Sequence, residues 1–210
     1  MILPIIVIGA GGHAKVLISV LKALNRSILC ITDSVPEKID HKIGCISVLG
    51  NDEKILDYSA DSVALVNGIG SVSSNEKRKA IFVKFKNYGY SFANVIHPSA
   101  IIMNEVQLGE GVQIMAGVIV QPGCVIGDNC IINTGATLDH DCIIGEHVHV
   151  APGAILSGGV HVGAMTHIGT SATIIQGVEI GLSAVVGAET VVIADIPSGV
   201  KAVGVPARII

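Results

Sequence analysis

The clearest pattern along the chain is a hydrophobic residue at every sixth position from Ile96 to Val192. All 17 of these positions are Ile, Leu or Val, and chance would give such a run with odds of about 10⁻⁵. Two residues before most of them stands a small or β-branched residue, such as Ala100, Cys124 or Ala154. Since residues two apart point to the same side of a strand, the pattern predicts short strands that face one apolar interior.

The three residues after each aliphatic predict a corner between strands. They are rich in Gly, Asn and Asp, which tolerate unusual backbone dihedral angles. Three such sides would close a triangular coil, and glycine recurs once in every coil at Gly109, Gly127, Gly145, Gly163 and Gly181. Successive coils would stack as parallel strands about 4.8 Å apart. We therefore expect an all-β parallel helix over residues 93–210, with a short C-terminal tail.

Residues 1–92 lack this period and predict an α/β domain. The stretch "LPIIVIGAGGHAKVLISVLKAL" indicates a strand, a Gly-rich turn and a helix with apolar positions Val16, Val20 and Leu24. "SILCITDS" and "DSVALVNGIGS" indicate two more strands, and "SNEKRKAIFVKFKNYG" indicates a second helix. The order predicts a Rossmann-like βαβαβ half-domain.

The turn Gly9-x-Gly11-x-x-Ala14 approximates a dinucleotide-binding fingerprint, in which bare backbone amides at a helix start receive phosphate. NAD binding is disfavoured, because a full dinucleotide fold needs two such halves and the chain has room for one. A nucleotide or nucleotide-sugar phosphate fits better, with Asp33 placed to meet a ribose hydroxyl or a base edge. A glycine turn that serves only packing stays an alternative.

Charge and hydropathy exclude several classes of partner. The net charge of −4 gives no sign of nucleic-acid binding or of attraction to an anionic membrane surface. Mean hydropathy is positive, but no apolar run approaches the length of a spanning helix. "MILPIIVIGAGG" lacks the basic flank of a signal peptide, so we expect a cytoplasmic protein.

The stretch "TLDHDCIIGEHVHVAPGA", residues 137–154, gathers titratable groups in an otherwise apolar region. His140 falls at a predicted corner between Asp139 and Asp141, and its neighbours one coil away are Pro122 and Gly158, which leave open space around the ring. A carboxylate bonded to one ring nitrogen would leave the other free to take a proton from an amine or hydroxyl that attacks a thioester. An inert surface histidine is the alternative.

Two more histidines, His149 and His167, are predicted to stack on one outward face, since they stand one full coil apart. A metal is disfavoured because no third ligand falls nearby in register, and the cysteines show no C-x-x-C spacing. In a carbonic-anhydrase-like protein with zinc between subunits, these two histidines and His161 would be the zinc ligands, but His161 falls on another face. That enzyme and a purely structural prism remain open as alternatives.

His140 and His149 are separated by half a coil. The two should lie roughly 15–20 Å apart around a corner, too far to serve one thioester within a single chain. If both act in one site, a neighbouring subunit must supply one of them. Outward apolar residues also need covering, namely Ile119, Val125, Ile131, Ile143 and Ile155.

Four segments together resemble one family of enzymes: "GAGGHAKV", "HPSA", "INTGATLDHDCIIGEHVHVAPGA" and "VGVPARII". They are similar, in order and over essentially the full length, to the bacterial sialic acid O-acetyltransferases and nucleotide-amino-sugar N-acetyltransferases. These are hexapeptide-repeat acyltransferases. The resemblance implies a left-handed coil, a homotrimer with active sites between subunits, and acetyl-CoA as co-substrate without a metal.

The resemblance also implies roles for individual residues. It makes His140 the general base and Asp141 the residue that tunes it. It assigns acetyl-CoA contacts to His149, Thr170 and Ala188, and acceptor contacts to Gly11, Gly12, His13, Asp33 and Gly70. The expected reaction is acetylation of the amino group, at C4, of a nucleotide-linked amino-deoxy sugar for surface glycan synthesis, directly in a ternary complex. A sialic acid O-acetyltransferase, with the same base acting on a hydroxyl, is the second candidate.

Overall fold

The computed structural model describes residues 2–71 and 74–210. Its contacts divide the chain into an N-terminal domain, Met1–Gly70 with Lys77–Val95, and a coil domain, Ser71–Glu76 with Ile96–Ile210. The sequence analysis placed one boundary after residue 92. In the structure, the boundary lies after Val95, and the segment Ser71–Glu76, which ends at the first residue of the second helix, groups with the coil domain.

The N-terminal domain is built from one sheet with helices between its strands. Its elements are β1 Ile5–Ile8, α1 Gly12–Ala23, β2 Ile28–Thr32, β3 Lys42–Ile43, β4 Ile46–Gly50, β5 Ala64–Asn67, α2 Glu76–Asn87 and β6 Ser91–Phe92, with 3₁₀ turns at Pro36–Lys38 and Asp52–Asp57. The strand order is β3-β4-β2-β1-β5-β6, and all pairs are parallel except β3 with β4. The predicted Rossmann-like half-domain is confirmed, and the β3–β4 hairpin is an addition that the pattern did not predict.

Of the three apolar positions predicted along the first helix, only Val20 is buried. Val16 and Leu24 are exposed by 44% and 36%, and the buried side of α1 consists of Ala14, Leu17, Ile18, Val20 and Leu21. Apolar residues occur on more than one face of this helix, and packing against the sheet determines which face is buried. Spacing alone therefore identified the helix but not its inward side.

The coil domain consists of strands of two residues joined by corners. In chain order they are β7 Val95–Ile96, β8 Ile101–Ile102, β9 Gln107–Leu108, β10 Gln113–Ile114, β11 Ile119–Val120, β12 Val125–Ile126, β13 Ile131–Ile132, β14 Thr137–Leu138, β15 Ile143–Ile144, β16 His149–Val150, β17 Ile155–Leu156, β18 His161–Val162, β19 His167–Ile168, β20 Thr173–Ile174, β21 Glu179–Ile180, β22 Val185–Val186 and β23 Val191–Val192. Two more, β24 Lys201–Val203 and β25 Arg208–Ile209, form an antiparallel pair at the C-terminal end.

These strands form three parallel faces. The first face runs from β7 to β22 through every third strand and continues into β24, the second runs from β8 to β23, and the third from β9 to β21. Each strand pairs with the strands one coil before and one coil after it, as His149 does with Ile131 and with His167. The predicted hexapeptide-repeat β-helix is confirmed, and its interior is the continuous aliphatic core that the period indicated.

Glycine serves two different purposes at the corners. The third corner residue has a positive φ in every repeat from Glu105 to Glu189, and this position takes glycine, Asn129 or Asp141 alike. Glycine at the first corner position has another cause, because a Cβ on Gly145 would lie 2.6 Å from the backbone nitrogen of Ala164 in the next coil. There the coils approach too closely for any side chain.

Within the described residues, no helix is long and apolar enough to cross a membrane.

Candidate functional site

His140 lies at the corner between the second and third faces, where β14 ends and β15 begins. Its Nδ1 is 2.9 Å from Oδ2 of Asp141, and its backbone N–H donates to Oδ1 of Asp139 at 2.8 Å. The side chains of His140 and Asp141 are 53% and 71% exposed. The imidazole is thus oriented by a carboxylate and is about half exposed, with its Nε2 beside Gly158 of the next coil.

The carboxylate beside His140 also changes its basicity. The hydrogen bond to Asp141 raises the pKa of the His140 imidazole above its ordinary value, and the nearby charge of Asp139 acts in the same direction. With Nδ1 donating to Asp141, the neutral ring presents Nε2 as its acceptor. The pair can therefore take a proton from a nucleophile and hold the resulting charge.

Two missing side chains make room for this pair. A Cβ on Gly158, one coil further along, would lie 2.5 Å from Cε1 of the His140 ring, and a Cβ on Gly123 would collide with the Asp141 carboxylate. Gly158 has no positive φ, and the equivalent corner position carries alanine at Ala116 and Ala164. Glycine at 158 is therefore required by the histidine ring rather than by the backbone.

A pocket of about 410 Å³ lies on the first face of the coil domain. It contains all three residues that the resemblance assigned to acetyl-CoA, and its lining comprises Ser71, His149, Ala151, Pro152, His167, Gly169, Thr170, Val185, Val186, Gly187 and Ala188. The rings of His149 and His167 meet edge to face, with their centroids 4.9 Å apart. The predicted stacking of these two histidines is confirmed.

The pocket histidines differ from His140 in their surroundings. His149 is 7% exposed; its Nδ1 lies 2.6 Å from Ser71 Oγ, and its Nε2 lies 3.1 Å from Asn133 Nδ2. Burial lowers the pKa of the His167 imidazole, so it is neutral near pH 7. The sequence analysis missed Ser71 and Asn133, because neither belongs to a titratable cluster.

The chain does not bring His140 and the pocket to one face. His140 follows β14 on the second face, whereas His149 and His167 lie on β16 and β19 of the first face. Outward apolar residues beside the His140 corner are half exposed, at 46% for Ile143 and 45% for Ile155. Ile131 was expected to need covering in the same way, but it is fully buried.

In the N-terminal domain, the predicted acceptor residues gather at the carboxyl edge of the sheet. Strand β1 pairs with β2 on one side and β5 on the other, so the loops after β1 and β5 meet where the strand order reverses. Nothing lies within 4 Å of a Cβ built on Gly11 or Gly12, at the start of α1, while a Cβ on Gly70 would lie 3.2 Å from Cβ of His13. The open space beside Gly11 and Gly12 and the two loops thus share one edge.

Asp33 organises this edge from the end of β2. It is 5% exposed, and its carboxylate accepts the backbone N–H groups of Ala10 at 2.6 Å and Val35 at 2.9 Å. Lys38 Nζ also lies 2.9 Å from Oδ2. Burial alone would raise the pKa of Asp33, but these hydrogen bonds outweigh it and lower the pKa below its ordinary value. Asp33 therefore holds the Gly-rich turn as a fixed anion, whatever else it contacts.

Among residues 2–71 and 74–210, no three His, Cys, Asp or Glu side chains are grouped so that they could hold a metal ion. His161 lies on β18 of the third face, apart from the first-face strands that carry His149 and His167.

Family comparisons agree with both domains. Residues 4–85 match the PglD N-terminal domain, and residues 105–140 and 123–158 match the bacterial transferase hexapeptide family of six repeats. Among curated proteins, none matches the sequence significantly.

Three solved structures are similar over the whole chain. A histidine-to-asparagine variant of perosamine N-acetyltransferase from Caulobacter crescentus, in complex with CoA and GDP-perosamine, is 40% identical with a TM-score of 0.92, over 100% of this chain and 97% of that one. The acetyltransferase domain of PglB from Neisseria gonorrhoeae, in complex with acetyl coenzyme A, is 32% identical with a TM-score of 0.92, over 100% of both chains. WeeI from Acinetobacter baumannii is 27% identical with a TM-score of 0.90, over 99% of this chain and 100% of that one.

Two glycine-to-alanine substitutions should affect different properties, the first activity and the second stability. Gly158→Ala forces only the exposed His140 ring to move, so we expect enzymatic turnover to fall about tenfold or more, with the free energy of unfolding changed by less than about 1 kcal/mol. Gly145→Ala meets backbone, so we expect a loss of about 1–3 kcal/mol in the free energy of unfolding. Denaturant titration and steady-state kinetics on both variants measure this contrast. Full activity in Gly158→Ala would contradict the claim that the absence of a side chain at position 158 makes room for the His140 ring.

Proposed function

The chain belongs to the nucleotide-amino-sugar N-acetyltransferase family of hexapeptide-repeat enzymes, and from that premise we propose that it transfers acetyl from acetyl-CoA to the C4 amino group of a nucleotide-linked amino-deoxy sugar. The product would serve surface glycan synthesis. Support comes from two relatives that cover the chain almost completely, one complexed with CoA and GDP-perosamine and the other with acetyl coenzyme A. A sialic acid O-acetyltransferase remains the second candidate.

His140 is proposed as the general base. Its Nε2 takes a proton from the acceptor amine as the amine nitrogen forms a bond to the thioester carbonyl carbon. The C–S bond then breaks, and CoA leaves as a thiolate that takes up a proton. The observation that carries this proposal is the exposed His140–Asp141 pair, held in the space that Gly158 leaves open.

Direct transfer in a ternary complex is proposed rather than a covalent acetyl-enzyme. The cysteines next to the His140 corner in the fold, Cys124 and Cys142, are buried inside the coil. Cys124 Sγ lies 3.0 Å from the carbonyl oxygen of Asp139, and neither thiol is open to an incoming thioester. The amine would therefore attack acetyl-CoA itself.

The active site is proposed to lie between subunits of a homotrimer. In one chain His140 occupies the corner after the second face, while the first-face pocket with His149, Thr170 and Ala188 is proposed to hold acetyl-CoA. A neighbouring subunit would bring its pocket to this corner, and Ile143 and Ile155 would be covered in the same contact.

The acceptor nucleotide is proposed to bind at the carboxyl edge of the N-terminal sheet. Gly11 and Gly12 have free space beside them at the start of α1, and the backbone amides of a helix start suit a phosphate. His13, Asp33 and Gly70 would line the same edge. Asp33 already accepts three hydrogen bonds, so it would act on the acceptor mainly by holding the turn.

The reaction is tested by thiol release from acetyl-CoA with a panel of nucleotide-linked amino sugars and free sialic acid. We expect turnover with a nucleotide-linked amino sugar, and His140→Ala should lower kcat by about 100-fold or more because the base is lost. The affinity for acetyl-CoA should stay within about twofold in that variant. Turnover of sialic acid alone would favour the O-acetyltransferase, and unchanged kcat in His140→Ala would remove the proposed base.

The pH dependence gives an independent check on the His140–Asp141 pair. The base must be neutral, so kcat/KM should rise as pH increases through the raised pKa of His140. Asp141→Asn removes the carboxylate that favours the charged ring, so the pKa should fall and the acid limb should move to lower pH. The substrate amine is the same for both proteins, so its own titration cancels in the comparison. An acid limb that does not move would contradict the pairing.

A further inference from the structure

The hydroxyl of Ser71 lies in the first-face pocket, outside every motif that indicated function. Ser71 is 9% exposed and belongs to the pocket lining. Its Oγ lies 2.6 Å from Nδ1 of His149, and this is its one hydrogen bond among residues 2–71 and 74–210. A hydroxyl can donate once and accept twice. Whether Ser71 or His149 donates therefore decides what Ser71 can offer to a ligand.

Asn133 determines the direction of this hydrogen bond. Its Oδ1 accepts the backbone N–H of Thr134 at 2.8 Å, which places Nδ2 opposite Nε2 of His149 at 3.1 Å. Because an amide Nδ2 can only donate, Nε2 of His149 must accept. The imidazole is therefore neutral with its proton on Nδ1.

The proton on Nδ1 is donated to Ser71 Oγ, so the hydroxyl hydrogen of Ser71 cannot point back at the ring. It is left available to an acceptor other than the ring. Asn75 also contacts the coil domain, because its buried Nδ2 donates to the carbonyl oxygens of Met165 at 3.1 Å and Thr166 at 3.2 Å. Ser71, Asn75 and both carbonyl groups belong to the coil domain.

We propose that the hydrogen-bond chain Asn133–His149–Ser71 orients the Ser71 hydroxyl as a donor to a carbonyl oxygen of the bound acyl donor, in its thioester or its pantetheine amides. The proposal rests on the proposed function, because it takes the first-face pocket as the acetyl-CoA site. Ser71 is then a ligand-contacting residue and Asn133 a positioning residue, while His149 both lines the pocket and orients Ser71. Much of the remaining lining is apolar or glycine, so a hydrogen-bond donor of fixed direction would set how far the pantetheine chain of acetyl-CoA lies along the pocket.

The role of the Ser71 hydroxyl is tested by measuring acetyl-CoA binding to the whole protein by calorimetry, without the acceptor sugar. The measurement is made at about pH 8.5, where the imidazoles are neutral. Ser71→Ala should raise the Kd for acetyl-CoA about three- to tenfold, the usual effect of losing one hydrogen bond. The matched control is Ser62→Ala in the N-terminal domain, where Oγ donates to the carbonyl oxygen of Ser59, and its Kd should equal that of the wild type.

Asn133→Asp tests the direction of the chain without altering Ser71. The carboxylate can still accept from Thr134, but it presents an acceptor to Nε2, so in the neutral ring at about pH 8.5 the His149 proton should move to Nε2. Ser71 must then donate to Nδ1, and the Kd should rise as it does in Ser71→Ala. Nitrogen-15 NMR of the imidazoles should show His149 protonated on Nδ1 in the wild type and on Nε2 in Asn133→Asp, a change that a merely structural role would not produce.

The outcomes separate this inference from the proposed function. Equal weakening in Ser71→Ala, Asn133→Asp and the double variant would support the chain, since all three remove the same donor. Wild-type affinity in Ser71→Ala, or a His149 proton on Nε2 in the wild type, would overturn it while leaving the proposed function intact. Weakened binding of the nucleotide-linked sugar in place of acetyl-CoA would overturn the donor assignment. A wild type that does not bind acetyl-CoA would overturn the proposed function.

Discussion

The hydrogen-bond register between successive coils, in which each residue pairs with the one exactly one coil further along, is the constraint on which the rest of this structure depends. Each strand from β7 to β23 has two residues, so a side chain is positioned by its neighbours in the coils on either side. The register sets His149 beside His167, and it sets the His140 ring over a position without a Cβ at Gly158. Outward polar groups are thus ordered by the same repeat that aligns the aliphatic core.

The register gives the histidines of the coil domain different environments, and with them different chemical abilities. His140 is exposed at a corner beside a carboxylate, which raises its pKa, whereas His167 is held in a pocket where burial lowers it. Groups of one type whose pKa values move in opposite directions commonly divide the work of a site. His140 is suited to proton transfer, whereas His149 and His167 are suited to lining a ligand pocket as uncharged rings.

Much of this followed from the sequence, because a strict period leaves few alternatives. Positions in the six-residue period predict the aliphatic columns and the stacking of His149 on His167. The contact between His140 and Asp141 follows from their adjacent places at one corner. The inward side of α1 and the β3–β4 hairpin did not follow, since the sheet decides between stripes of similar hydrophobicity. Ser71 could not be predicted either, because it stands in a segment without a period and its contact with His149 spans 78 residues.

The central claim is that the base and the acyl-donor pocket of one active site come from different subunits. The most direct test of this claim is to co-express two inactive variants and measure the activity of the mixed oligomers. The variants are His140→Ala, which lacks the base, and Ala188→Trp, which fills the rim of the pocket. Random assortment leaves one interface in four with both intact parts, so we predict recovery of about one quarter of wild-type activity. Mixed oligomers with no activity above that of either parent would contradict the claim, since both parts would then belong to one subunit.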